Sequence, residues 1–335
     1  MIYHWDIIGH EKPLQLLEGD ITTGNLHHAY LFVGAPHIGK SAIAKQMAMI
    51  LQCPNDFCRS CPTCTQVEKM SHVDTIELID DDESIKVSTI RDLIGRLSMT
   101  SQSSYKIVII DNVKRFTTEA ANAFLKTLEE PTPRTIFIFT APSIQDVLPT
   151  LVSRMRVIHF KKHPAAILKS ALQQRFAHID NLTMDYIINL SLGSSGRAIE
   201  LLSDPDTFES LRNRYQEIEF HYEKKDFVRW YKEMGEISKD PIELRKVLGL
   251  LTHFLRTRLL YSPMPLGQDE TQKIVYAIER IHRAQRLLEQ NVNGRLLLED
   301  ILIRLGHNLS SPPHRSPGSS GSSAAIRIFW PIGHR

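Results

Sequence analysis

Two groups of residues in this sequence have the types and spacing needed for chemistry. The first is the segment at residues 34–41, GAPHIGKS, which fits the pattern G-x-x-x-x-G-K-[ST]. Such a loop turns backbone N–H groups towards phosphate oxygens, its lysine reaches the terminal phosphates and its serine holds Mg²⁺. We therefore predict an ATP and Mg²⁺ site at Gly34, Gly39, Lys40 and Ser41. The alternative is a glycine-containing turn with a surface lysine.

The second group contains all four cysteines of the chain. Four thiolates form a closed tetrahedral zinc site, and a site with no open position is structural rather than catalytic. Turn-forming residues such as Pro54, Asn55 and Pro62 lie among them. The cluster therefore predicts a structural Zn²⁺ ion, with an iron–sulfur cluster or free surface thiols as the alternatives. The predicted ligands are Cys53, Cys58, Cys61 and Cys64.

The phosphate loop requires a strand before it and a helix after it, and the first 160 residues supply alternating patterns of that kind. Apolar runs predict buried strands, and residues spaced by three and four predict helices. We therefore expect an α/β domain with a mostly parallel sheet. The predicted strands are His28–Val33, Lys106–Ile110, Thr135–Thr140 and, more weakly patterned, Ile76–Ile79; the predicted helices are Ser41–Leu51, Ser88–Leu97 and Thr118–Leu128.

One predicted strand ends at an acid. Asp111 follows Lys106–Ile110 about 70 residues after the phosphate loop, where it can order Mg²⁺ and its waters. A turn or helix cap is the alternative role for a strand-end aspartate. The next residue, Asn112, carries an amide, which orients a water molecule by hydrogen bonding but cannot accept its proton.

The second half of the chain has a different pattern, because strand-like runs stop after His159 and helical spacing continues to about Leu309. Breaks at 203–207 and 262–267 divide this half, and Ser, Pro and Gly dominate from residue 311. We predict four parts: a nucleotide-binding domain at 1–163 with a zinc-binding insertion at 53–64, a helical lid at 164–207, a helical bundle at 208–309 and a flexible tail at 310–335.

Composition narrows the class of protein. The 335 residues are 42% hydrophobic and 23% charged, as in ordinary globular chains, and 40 Lys and Arg balance 38 Asp and Glu. The chain therefore lacks the charge of a histone-like nucleic-acid binder, and its apolar runs are too short to span a bilayer. We expect a cytoplasmic protein with no membrane partner, an environment in which a cysteine cluster favours metal over disulfides.

Further motifs make the chain resemble the AAA+ clamp-loader subunits of bacterial DNA polymerase III over roughly residues 5–306. They include the phosphate loop and the cysteine insertion already described. The others are WDIIGH at 5–10, HAYLF at 28–32, NAFLKTLEEP at 122–131, LPTLVSR at 148–154 and GSSGRA at 193–198.

This resemblance implies an AAA+ fold whose 208–309 bundle is an oligomerisation collar, with a self-contained helical core as the alternative. It also implies a hetero-pentamer with gamma/tau and delta subunits that loads a sliding clamp onto primed DNA, with ATP sites between neighbours. Arg154 would be supplied to a neighbour's ATP, although a strand-end arginine paired with a surface acid is the alternative. Arg197 would be the lid arginine that senses nucleotide, or else a helical surface arginine. Thr140 would sense the γ-phosphate, with Ser143 as the competing residue.

Three departures from the family pattern bear on activity. His37 occupies a position that is commonly glycine, Asn112 replaces the glutamate of many hydrolytic members, and Met155 replaces the usual cysteine after Ser-Arg. The first two favour a delta-prime-type stator with weak or absent ATP hydrolysis. The alternatives are a gamma/tau-like ATPase motor and a nucleotide-binding adaptor outside replication.

Overall fold

The computed structural model describes residues 2–80, 83–261, 266–288, 290 and 292–306. The chain forms two compact units that divide between Arg214 and Tyr215. The tail predicted at 310–335 lies outside the described residues. Within the described part of the chain, no helix combines the length and apolar character needed to cross a membrane.

The first unit is an α/β structure. Its strands are β1 (Ala29–Val33), β2 (Thr75–Leu78), β3 (Lys106–Ile110), β4 (Thr135–Ala141) and β5 (Arg156–His159). Its helices are α1 (Glu11–Thr22), α2 (Lys40–Gln52), α3 (Pro62–Glu68), α4 (Val87–Leu97), α5 (Thr118–Glu129), α6 (Pro149–Val152), α7 (Ala165–Arg175), α8 (Asn181–Ser191) and α9 (Ser195–Ser203). Helix α10 (Pro205–Lys224) contains the division between the two units.

The five strands form one parallel sheet in the order β2-β3-β4-β1-β5. Ile110 pairs with Phe139, and Phe32 pairs with Thr140. Strands β1, β3 and β4 are buried along their whole length, because helices cover both faces of a parallel sheet. This order brings the carboxyl ends of β3, β4 and β1 side by side.

Each face of the sheet has its own apolar core. Phe32 and Ile138 pack with α2 residues such as Met47 on one face. Phe137 and Phe139 pack on the other face with Phe124 of α5, whose ring meets both phenylalanine rings edge-on. Alternation along each strand therefore anchors helices on both sides and fixes the strand ends between them.

The predicted strands and helices of the first unit are confirmed to within one residue at each end. The sequence analysis missed α1, α3, α6 and β5. The last three have at most seven residues, and α1 contains Pro13 and Gly19, which have low helix propensity. Strand β5 lies at the sheet edge and is partly exposed at Arg156, Val157 and His159, so its sequence resembles that of a loop.

The described part of the second unit is helical. It contains the end of α10, then α11 (Phe227–Glu233), α12 (Pro241–Tyr261), α13 (Gln268–Leu288) and α14 (Gly294–Gly306). Leu251 of α12, Ile281 of α13 and Ile301 of α14 are among its buried residues. The predicted break at 262–267 falls between α12 and α13, and residues 262–265 of it lie outside the described residues.

Candidate nucleotide-binding cleft and cysteine cluster

A cleft of about 460 Å³ opens at the carboxyl ends of β1, β3 and β4. This edge of a parallel sheet is where ligands of α/β proteins bind, because the loops diverge there. The residues predicted from the phosphate loop, the strand-end acid and the polar end of β4 meet in it. Its lining includes Gly39, Lys40, Ser41, Asp111, Asn112 and Thr140.

The glycines of the phosphate loop have steric reasons for their identity. A Cβ on Gly34 would lie 2.4 Å from the carbonyl oxygen of Phe160, closer than any side chain tolerates. Gly39 has a φ of 99°, a left-handed conformation that favours glycine, at the start of α2. Both residues therefore allow the loop to turn sharply from β1 into the helix.

Lys40 lies across the loop. Its Nζ donates hydrogen bonds to the carbonyl oxygens of Gly34 and Ala35, each at 2.8 Å. Burial lowers the pKa of Lys40 to about 8, and the nearby Asp111 carboxylate acts in the opposite direction. A bound phosphate oxygen would counter this effect of burial, because a nearby negative charge stabilises the ammonium form of Lys40.

Asp111 joins the loop to β4. Ser41 Oγ donates a hydrogen bond to Asp111 Oδ1 at 2.9 Å, and Thr140 Oγ1 donates to the same oxygen. Thr140 Oγ1 also accepts from the backbone N–H of Asn112 at 2.9 Å. A carboxylate with two hydroxyl neighbours offers the oxygen ligands that Mg²⁺ prefers. The competing residue, Ser143, instead caps a short 3₁₀ turn, where its hydroxyl accepts a hydrogen bond from the backbone N–H of Gln145. Of the two candidate γ-phosphate sensors, Thr140 is therefore the residue that lines the cleft.

Asn112 is held in a left-handed conformation with a φ of 55°. Its Nδ2 donates to Asp80 Oδ2 at 2.6 Å, and Arg115 Nη1 donates to the other carboxylate oxygen at 3.3 Å. Asp80 also lines the cleft. The carboxylate nearest the amide therefore comes from the end of β2.

Helix α9 contacts the phosphate loop through its first residues. The N–H of Gly196 donates to the carbonyl oxygen of His37 at 2.7 Å, and Ser195 Oγ donates to that of Ile38 at 3.3 Å. His10 Nε2 lies 2.9 Å from the same Ile38 oxygen. His37, at the position that is commonly glycine in the family, has a φ of 58°, a left-handed conformation that strains a residue with a side chain.

The predicted lid arginine points to an acid on its own helix. Arg197 Nη1 donates to Glu200 Oε2 at 3.4 Å, and His37 Nδ1 lies 4.0 Å from that oxygen. The preceding residue, Gly196, lines the cleft. The structure therefore places Arg197 beside the cleft mouth, in contact with Glu200.

Arg154 lies apart from these residues, in the turn between α6 and β5. Its guanidinium is bound to Glu129 at the end of α5, with Nε donating to Oε1 at 2.9 Å. Nη1 donates to the carbonyl oxygen of Thr150 at 2.8 Å. The arginine is about one-third exposed, so the paired-acid alternative describes its surroundings within this chain. Met155 beside it is buried in the core.

The four cysteine sulfurs all lie within 4.8 Å of one another. Cys53 Sγ is 3.7 Å from that of Cys58 and 3.9 Å from that of Cys61. Four sulfurs bound to one zinc ion are separated by about 3.8 Å, because each Zn–S bond is about 2.3 Å. These residues fit a tetrahedral metal ion.

Local structure explains how the cysteines converge. Cys53 follows α2, Cys61 caps α3, and Cys64 is buried in the first turn of α3. The turn between the helices contains positive φ values at Asp56, Phe57 and Arg59. Backbone N–H groups donate to sulfur, including that of Cys58 to Cys53 at 3.4 Å. Amides of Ser60 and Cys61 lower the pKa of Cys58 to about 6, which favours the thiolate that metals bind.

The sequence analysis did not identify Asp80, Gly196 or Glu129 as parts of these sites. Asp80 follows the predicted strand Ile76–Ile79 as Asp111 follows its own strand, so the same strand-end rule would have found it. Gly196 and Glu129 lie within the motifs at 193–198 and 122–131, but their partners, His37 and Arg154, are distant in sequence, so the motifs did not reveal these contacts.

Comparison with known proteins identifies a family domain in the first half of the chain. Residues 9–164 match the family described as DNA polymerase III, delta subunit. The delta' subunit of DNA polymerase III from Bacillus subtilis is 26% identical over 331 residues, covering 91% of this chain and 99% of that one. Residues 9–164 of this chain therefore form a domain of the DNA polymerase III delta subunit family.

Other subunits of DNA polymerase III match over shorter regions. The tau subunit of Salmonella typhimurium is 32% identical over 203 residues, which are 59% of this chain and 30% of tau. The chain thus spans less than a third of that tau subunit. The crystal structure of a DNA polymerase III gamma subunit-related protein from Thermotoga maritima covers 87% of this chain with a TM-score of 0.50 at 18% identity, so it shares the fold. The predicted AAA+ fold with a helical second half is confirmed.

Proposed function

We propose that this chain is a delta-prime-type subunit of the clamp loader. In this role it joins gamma/tau and delta subunits in a hetero-pentamer that places the sliding clamp on primed DNA in the cytoplasm. The match to a delta' subunit along nearly the full length of both chains supports this choice. The observation that carries it is Asn112, because the resemblance implies a glutamate at this position in many hydrolytic members, and here the residue is an amide bonded to Asp80.

The cleft is proposed to bind MgATP with weak or absent hydrolysis. Gly34, Gly39 and Lys40 would hold the phosphates, while Ser41 and Asp111 would order Mg²⁺. Thr140 and Arg197 would contact the terminal phosphate, which requires Arg197 to leave Glu200. An amide at residue 112 cannot take the proton of the attacking water.

Arg154 is proposed to act on a neighbouring subunit's ATP. A guanidinium stabilises charge on a transferring phosphoryl group when it is fixed in place. The guanidinium of Arg154 donates hydrogen bonds to Glu129 and to the carbonyl oxygen of Thr150. These bonds fix the guanidinium at the surface while leaving part of it exposed. A surface arginine held in this way can serve a site that the chain itself does not contain.

The remaining parts have supporting roles in this proposal. Zinc bound by the four cysteines would brace the turn between α2 and α3, since a closed thiolate site contributes folding energy. The segment at 164–207 would act as the lid, 208–309 as the oligomerisation collar and 310–335 as a flexible tail.

Assembly and ATPase measurements test the proposal. Size-exclusion chromatography of the chain mixed with gamma/tau and delta subunits should show one complex containing all three. The purified chain alone should bind MgATP but release phosphate at least about a hundredfold more slowly than the complex, as expected for a missing general base. A chain that remains free in the mixture would contradict the proposal and favour an adaptor outside replication.

A gamma/tau-like motor is the second candidate. Two tau subunits are 32% and 33% identical to this chain over their matched regions, compared with 26% for the delta' subunit. The phosphate-binding side chains are also all present in the cleft, namely Lys40, Ser41, Asp111 and Thr140. Rapid ATP turnover by the isolated chain would favour this candidate.

A further inference from the structure

Asp80 and Asn112 occupy equivalent places at the ends of neighbouring strands. Leu78 of β2 pairs with Ile110 of β3, and each of the two polar residues lies two positions beyond that pair. Asn112 Nδ2 donates to Asp80 Oδ2 at 2.6 Å. Arg115 donates to the second oxygen of the same carboxylate. The two strand ends are therefore joined by one amide–carboxylate hydrogen bond.

This bond sets the orientation of the Asn112 amide. Since Nδ2 faces Asp80, the amide oxygen Oδ1 is directed away from it, and that oxygen is buried with no hydrogen-bond partner among the described residues. Both side chains line the cleft beside Ser41 and Asp111. A buried acceptor in a polar cleft is suited to a water or ligand hydrogen.

We propose that Asp80 is a positioning residue of the nucleotide site. Asp80 orients the Asn112 amide and disfavours a second carboxylate at residue 112. The proposal rests on MgATP binding in the cleft. A carboxylate added at residue 112 would face Asp80 at hydrogen-bond distance next to the phosphates, where like charges oppose each other. A carboxylate at residue 112 is therefore accommodated better when residue 80 carries an amide.

Exchange of the two side chains tests this directly, because aspartate and asparagine have nearly the same shape. The full chain is prepared as Asp80→Asn, Asn112→Asp and the double variant, and its affinity for MgATP and its melting temperature are measured. Asn112→Asp should weaken MgATP binding by about tenfold, a size typical of directly coupled neighbours, and should lower the melting temperature. The double variant should return affinity to within about threefold of the unmodified chain.

The matched control is Asp92→Asn, which neutralises an exposed acid on α4 and should change neither quantity. If the double variant binds MgATP no better than Asn112→Asp alone, Asp80 does not position Asn112 and the proposal fails. If the unmodified chain does not bind MgATP, the proposed nucleotide site and this inference fail together. The two failures are thus distinguished by the unmodified chain.

Discussion

Ser41 Oγ donates a hydrogen bond to Asp111 Oδ1 across 2.9 Å, although the two residues are 70 positions apart in the chain. The bond connects the first turn of α2 with the end of β3. Strand β4 lies between β1 and β3, and its Thr140 hydroxyl reaches the same oxygen. The polar centre of the cleft therefore depends on the strand order of the sheet.

Lys40 should make MgATP affinity depend on pH. Its pKa is lowered to about 8 by burial, so in the folded chain the ammonium loses its charge as the pH rises through that value. Bound phosphates stabilise the charged ammonium of Lys40. Above pH 8, binding therefore requires Lys40 to take up a proton. Affinity should fall by up to about tenfold per pH unit above pH 8, measured by titration with a fluorescent ATP analogue.

The control for this prediction is Lys40→Arg, whose guanidinium remains charged throughout that range. The affinity of this variant should not change between about pH 8 and pH 9. Equal losses in both proteins would show that another group is responsible. In the unliganded chain, the unfolded state keeps the Lys40 proton up to about pH 10.5, so between about pH 8 and pH 10.5 this residue makes the free energy of unfolding rise with pH.

Gly196→Ala should destabilise the chain and weaken MgATP binding. The added Cβ would lie 2.7 Å from the carbonyl oxygen of His37, which also accepts the Gly196 N–H. Neither backbone can move without disturbing the phosphate loop. We expect a loss of about 1–3 kcal/mol in the free energy of unfolding, measured by urea denaturation.

Gly95→Ala is the matched control, because Gly95 lies in α4 with open space around its Cβ position. Alanine has the higher helix propensity, so this variant should gain about 0.5–1 kcal/mol. Destabilisation by both substitutions would mean that the contact of α9 with the loop is not the cause.

The cysteine cluster should contain about one equivalent of zinc in the purified chain, measured by elemental analysis. Cys64→Ser should lose the metal and lower the melting temperature by roughly 5 °C or more, because the buried Cys64 joins α3 to the turn after α2. Ser60→Ala changes the same turn but removes no thiol, so this variant should retain the metal and the melting temperature of the unmodified chain. Visible absorption with stoichiometric iron would instead identify an iron–sulfur cluster.

The ion pair of Arg154 with Glu129 should contribute little to stability. Both side chains are partly exposed, so Arg154→Ala should change the free energy of unfolding by less than about 1 kcal/mol. Arg156→Ala is the comparison, because its partner Asp20 is buried and also accepts from Tyr30. That variant should lose about 2 kcal/mol by leaving a buried carboxylate short of a donor. Equal losses of unfolding free energy in Arg154→Ala and Arg156→Ala would show that Arg154 has a structural role.

The strand–loop–helix around the phosphate site could be predicted from sequence because its signals are local. The loop at 34–41 joins a continuous apolar run to an amphipathic helix, and Asp111 directly follows another apolar run. The four cysteines lie within twelve residues, so their convergence follows from turns alone. Each of these features requires only the nearest residues in the chain.

Contacts between distant segments could not be predicted in the same way. The bond from Asn112 to Asp80 depends on β2 lying next to β3, and the order of strands in the sheet has no local signature. The contact of Gly196 with His37 depends on where α9 packs, since the two residues are far apart in sequence. Helical spacing predicted that α9 exists but not which loop it contacts.

ATP turnover of the complete assembly tests the central claim most directly. The chain is measured alone and then mixed with gamma/tau and delta subunits, in each case as the unmodified protein and as Arg154→Ala. We predict negligible turnover alone, rapid turnover in the mixture, and a loss of at least about tenfold in the mixture with Arg154→Ala while the complex still assembles. Rapid turnover by the isolated chain, or an unchanged rate with Arg154→Ala, would contradict the account of this subunit as a stator that completes its neighbour's site.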